Sequence, residues 1–200
     1  MSIFNQANST AMRRVLAIKF AIVLNCLYPS AGFSADADAA LGQRRAGTCN
    51  ACHGQSTMKS VPNLGGQNSA YFIAAMVAYK DSTRAHATMR DVARAWSTQD
   101  FRNFAAWYAE PVSPTAEPSA APASGERCAS CHGSEGREPI TPDIPRIAGQ
   151  KPGYIAQVLS EYRAGTRVHT VMQQQAAELS DADIAALAQY FSARAGLTVK

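Results

Sequence analysis

The chain has 200 residues, 46% of them hydrophobic and 17% charged, which suits one or two globular domains and excludes a disordered chain. The formal charge of +4 owes three units to Arg13, Arg14 and Lys19; without them 16 basic groups stand against 15 acidic ones, net +1. Residues 36–110 carry 8 basic and 6 acidic groups and residues 111–200 carry 8 and 9, so neither half has the polybasic face that nucleic-acid binding needs.

From the N-terminus, Arg13 and Arg14 precede an apolar run at residues 15–27 whose one charged residue is Lys19. Small residues follow, with Ala35-Asp36-Ala37 matching A-x-A. This order of charged, apolar and small-residue regions predicts a signal peptide over residues 1–35, cut somewhere in 34–37, and hence a periplasmic protein. Met12 directly precedes the arginines and is an alternative start. The apolar run is too short for a membrane anchor, and no later stretch approaches spanning length, so no transmembrane segment is expected in the mature chain. Cys26 falls in the leader, and Asn25 before it is a poor match to a lipoprotein site. Four cysteines remain: Cys49, Cys52, Cys128 and Cys131.

The remainder is one unit written twice. Cys49-Asn50-Ala51-Cys52-His53-Gly54 recurs as Cys128-Ala129-Ser130-Cys131-His132-Gly133. Pro62-Asn63-Leu64-Gly65-Gly66-Gln67 recurs as Pro145-Arg146-Ile147-Ala148-Gly149-Gln150. Tyr71, Tyr79, Arg84, His86, Met89, Ser97 and Asp100 recur as Tyr154, Tyr162, Arg167, His169, Met172, Ser180 and Asp183. The offset is 79 at the cysteines and 83 from the prolines onward, a four-residue insertion after His132.

The helix pattern is also duplicated. Phe72, Met76 and Tyr79 share a helical face, as do Ile155, Leu159 and Tyr162, and Gly165 is placed to stop the second helix. Ser97 with Asp100, and Ser180 with Asp183, predict capped closing helices whose apolar faces are Phe101, Phe104 and Tyr108, and Ile184, Leu187, Ala188 and Phe191. No period-two strand is evident. Between the copies Pro111, Pro114, Pro118 and Pro122 mark a semi-rigid Pro/Ala/Ser-rich linker. The expected organisation is all-α: domain 1 over 38–110, linker 111–124, domain 2 over 125–200.

Cys-x-x-Cys-His is the attachment signature of c-type haem. Two thiols on one turn can bond the two vinyl groups on one porphyrin edge, and the adjacent His reaches the iron. The residues therefore predict two covalent haem c groups, on Cys49 and Cys52 and on Cys128 and Cys131, with His53 and His132 as axial ligands. A four-thiolate zinc site would bring its pairs closer in sequence, a thioredoxin-like motif would lie in a βαβ unit, and structural disulfides leave each His unexplained. Each copy is only about 75 residues, a size at which a bound group commonly staples the fold.

The sixth ligand lies farther on. Met172 is the only methionine after the second cysteine pair, and its repeat partner is Met89. A methionine ligand favours ferrous iron, as suits an electron carrier. Met58 and Met76 are alternatives in the first copy, with Met76 reading as core. His86 and His169, three residues before each methionine, are rival ligands. Pro62 and Pro145 are candidates to offer a carbonyl to the proximal histidine, and Arg84 and Arg167 to neutralise propionates.

On these motifs the sequence resembles the cytochrome c4 family, dihaem tandem class I cytochromes c, over roughly residues 38–200. The resemblance implies two class I domains, His/Met ligation at His53, Met89, His132 and Met172, and periplasmic transfer of single electrons between redox proteins such as a terminal oxidase, a quinol-oxidising complex or a dehydrogenase. A permanently bound cytochrome subunit of a dehydrogenase is the alternative; a dihaem peroxidase would need an open iron position, against two matched methionines. The chain departs from the family in two ways. The first copy has room for an initial helix over residues 39–46, whereas Pro122 leaves almost none in the second, and the linker is long. These departures predict a more exposed second haem and freer domains.

Overall fold

A computed structural model describes residues 36–109 and 120–200. The signal peptide, Met12, Cys26 and most of the Pro-rich linker lie outside the described residues. The first repeat forms α1 (Ala39–Arg45), α2 (Gly47–His53), α3 (Ser69–Lys80), α4 (Ala87–Arg94) and α5 (Thr98–Tyr108). The second forms α6 (Gly125–His132), a 3-10 turn (Ser134–Gly136), α7 (Pro152–Arg163), α8 (Thr170–Ala176) and α9 (Asp181–Ser192). Thus α2 to α5 pair with α6 to α9. The short turn lies in the longer loop between His132 and Pro145, and α1 has no counterpart among the described residues. No strand occurs among them; one isolated bridge joins Gly65 to Thr198.

Local chemistry sets the helix ends. Ser97 accepts from the Asp100 amide and Asp100 accepts from the Ser97 amide, and Ser180 and Asp183 repeat this reciprocal cap. Pro152 opens α7, where its missing N–H costs nothing. Gly165 takes a left-handed conformation (φ 74°) just past the end of α7; the equivalent place after α3 holds Ser82 at φ 68°.

Each repeat has its own core. Phe101, Phe104 and Tyr108 of α5 are each at most 1% exposed and pack with Phe72 and Met76 of α3. Burial of each such ring contributes about 2–3 kcal/mol. Ile184, Leu187, Ala188 and Phe191 of α9 pack with Ile155 of α7. Helix α1 crosses α5 at Gly42, where a Cβ would lie 2.1 Å from the Asn103 carbonyl oxygen; no side chain fits that crossing. Ala186, the repeat partner of Asn103, is exposed on α9.

The two repeats are joined rather than free. Asp36–Lys200 form one compact unit. Gln67 Oε1 accepts from the Arg146 amide (2.9 Å) while its Nε2 donates to the Arg146 carbonyl (3.1 Å). Gln150 does the same to Asn63, at 2.8 and 3.1 Å. Asn68 Nδ2 donates to the Ile144 carbonyl (2.8 Å), and the C-terminal tail returns to the first repeat through paired Gly65 and Thr198 backbone bonds of 3.0 and 2.9 Å. The expectation of freer domains is therefore corrected. It weighed linker composition, whereas the join is made by buried side chains distant from the linker.

Candidate haem sites

In each repeat the two thiols and the histidine fall on one helix, at the first, fourth and fifth places of the motif, which share a face. The four cysteines among the described residues are free thiols; Cys52 is exposed and the others half-buried. Burial raises the pKa of Cys49 and Cys128, holding them as thiols. Among the described residues no group of three or more His, Cys, Asp or Glu converges as a zinc site would require.

His53 Nδ1 lies 2.8 Å from the Pro62 carbonyl oxygen, and His132 Nδ1 lies 2.8 Å from that of Pro145. A carbonyl only accepts, so Nδ1 carries the proton and Nε2 keeps its lone pair. Burial lowers the pKa of both histidines, favouring the neutral imidazole a metal needs. The prolines thus orient each ring, one of the two roles the sequence allowed them. The second motif is the more buried: His132 is 8% exposed, while His53 is half-buried. Beside the second motif Gly136 packs closely against Ile147 and Phe191.

His86 and His169 stand at helix starts. Each is the N-cap of its helix, with Nδ1 accepting from the amide of Met89 (3.2 Å) or Met172 (3.3 Å). Tyr79 and Tyr162 meet their rings edge-on at 6.0 and 6.3 Å between centroids. Both methionines are half-buried on the first turn, Met89 against the core of its repeat. Met76 is a core side chain on α3 and Met58 an exposed one.

Arg84 and Arg167 stack over Tyr79 and Tyr162 at 4.4 and 4.9 Å. Arg84 also donates to the Tyr154 hydroxyl at 3.1 Å, and Arg167 hydrogen-bonds the same tyrosine. Two half-buried guanidiniums share this junction, and neither forms an ion pair to a carboxylate among the described residues. Such a pair suits an anionic group placed beside it. Free thiols on one turn, a histidine with its Nε2 lone pair available, a half-buried thioether and uncompensated guanidiniums together fit a covalent haem. The sequence quoted Gln67 and Gln150 only as motif residues and passed over Asn68 and Lys151. Recurrence of both glutamines at the same offset was the available signal.

This arrangement defines a c-type cytochrome. A family model for cytochrome c matches residues 120–193. Cytochrome c4 of Pseudomonas aeruginosa is 34% identical over 175 residues, covering 76% of this chain and 87% of the relative. The crystal structure of reduced cytochrome c4 from Pseudomonas stutzeri superposes with a TM-score of 0.68 at 28% identity, covering 79% of this chain and 99% of that one. A cytochrome subunit of sulfide dehydrogenase from Chlorobaculum tepidum is 34% identical over 85 residues, covering 39% of this chain and 76% of the relative. The chain belongs to the cytochrome c4 family, with tandem cytochrome c domains, and is an electron-transfer cytochrome that carries covalent haem c.

Proposed function

We propose that the protein is a periplasmic dihaem carrier passing single electrons between redox proteins. Haem c would be held by Cys49, Cys52, His53 and Met89 in the first repeat, and by Cys128, Cys131, His132 and Met172 in the second. The duplicated 2.8 Å bond from His Nδ1 to a proline carbonyl carries this reading, since it leaves the same nitrogen lone pair available in both repeats. The caps at His86 and His169 occupy the histidines in fixing the methionine helices, which favours the thioethers as ligands.

When bound, haem supplies a one-electron ferric/ferrous couple. The chain does the rest. The thiols anchor the group, Pro62 and Pro145 fix the proximal rings, and Arg84 and Arg167 offset anionic charge at the junction. The half-buried methionines favour the reduced form. No side chain of this set need gain or lose a proton for an electron to pass. Redox partners dock through small, short-lived interfaces; a terminal oxidase, a quinol-oxidising complex or a dehydrogenase fits that role. Similarity to a dehydrogenase's cytochrome subunit favours permanent attachment as the second reading.

An optical and redox titration of the purified protein tests the proposal. Sulfur-to-ferric-iron absorption from two low-spin haems of high potential is expected. A high-spin haem that binds peroxide would contradict it, and stable co-purification with a dehydrogenase would favour the second reading.

A further inference from the structure

Asn68 and Lys151 are repeat partners that each follow the bridging glutamine and donate their amide to its Oε1 at 2.9 Å. Each side chain then crosses to the other repeat. Asn68 donates to the Ile144 carbonyl. Lys151 Nζ donates to the carbonyls of Gln55 (2.6 Å) and Met58 (3.1 Å), in the loop between His53 and the Pro62 that orients it. The geometry is duplicated, but the charge is not.

Lys151 is 8% exposed and forms no ion pair with a carboxylate among the described residues. The start of α7 holds it in place: Gly153 lies so close to Lys59 that a Cβ would sit 2.9 Å from the Lys59 carbonyl oxygen. Two carbonyl dipoles aimed at the ammonium stabilise the charged form against burial, which lowers its pKa. The charge therefore lies in the loop that links the first proximal histidine to the carbonyl orienting it. At the equivalent place Asn68 reaches the Ile144 carbonyl, next to the Pro145 that orients His132, with a neutral amide.

We propose that Lys151 is a positioning residue that makes the two sites electrostatically unequal: reaching across from the second repeat, it raises the reduction potential of the iron held at His53. The inference rests on the haem assignment above. Reduction takes one electron from the redox partner and removes one positive charge from the site, so a fixed cation nearby favours the reduced form. Low local dielectric keeps that effect from being screened as it would be at the surface.

The test is a redox titration of the full holoprotein and its Lys151→Met, Lys151→Gln and Lys151→Arg variants. Haem-methyl resonances report each haem separately, assigned through contacts to its own repeat. Haem content and sulfur–iron absorption are measured on the same samples. At a fixed poise the ferrous-to-ferric ratio of the first haem should fall about three- to tenfold in the Met and Gln variants, with a much smaller change at the second haem and little change in the Arg variant. An unchanged first haem, equal shifts at both haems, or an Arg variant that behaves like Met would overturn the proposal. Wild-type protein without haem at Cys49 and Cys52 would instead remove the assignment beneath it.

Discussion

Gln150 holds Asn63 by both of its backbone polar groups, accepting from the amide at 2.8 Å and donating to the carbonyl at 3.1 Å, across 87 residues of chain. Gln67 holds Arg146 in the same way, so the two bonds relate the repeats by an approximate two-fold exchange. The glutamines are 5% and 6% exposed, which shields these bonds from competing water.

Gln150→Leu keeps the bulk but strands both backbone groups of Asn63. Unpaired buried polar groups cost about 1–3 kcal/mol each, so the variant should lose about 2–4 kcal/mol in urea unfolding. Its scattering profile should also become more extended. Unchanged stability would mean the join is made elsewhere.

His86→Ala removes the cap that accepts from the Met89 amide. A stability loss of about 1 kcal/mol is expected, with both haems and the sulfur–iron absorption retained. Had His86 been the ligand, the first haem would instead change its spectrum and lose its distal bond. His169→Ala should behave likewise in the second repeat.

Ser82 and Gly165 occupy the same left-handed position after α3 and α7. A side chain is strained there, so Ser82→Gly should stabilise the protein by about 1 kcal/mol, and Gly165→Ser should weaken it by a similar amount. Thermal unfolding of the two variants would show opposite shifts in Tm.

Acid should weaken the closing helices. The Ser97 hydroxyl first, and its amide, hold the Asp100 pKa below the ordinary 3.8; Ser180 does the same for Asp183. A carboxylate with a depressed folded pKa contributes stability that is fully present above the unfolded pKa and is lost as pH falls through the folded one. The wild-type denaturation midpoint should therefore drop as pH falls below about 4. The Asp100→Asn, Asp183→Asn double variant should drop less steeply.

Much of the site was legible because it is local or repeated. Serine and aspartate three apart announced the caps of α5 and α9, and Cys-x-x-Cys-His announced the chemistry. The doubled Met89 and Met172 stood out against the single-copy Met58. What escaped notice depends on contacts with no local period. Gln67, Gln150 and Lys151 act across 79 to 96 residues, and Thr198 pairs with Gly65 from the C-terminal tail. Linker composition suggested freedom because it says nothing of side chains that meet elsewhere. That His86 and His169 cap α4 and α8 was not legible, because cap geometry depends on backbone conformation, extended at both residues with φ of −172° and −167°.

Intact-mass spectrometry of the exported protein is the most direct check on the central claim. The account predicts the processed polypeptide plus two haem groups, with peptide mapping placing one on Cys49 and Cys52 and the other on Cys128 and Cys131. A mass equal to the bare polypeptide, or to the polypeptide with zinc, would contradict it.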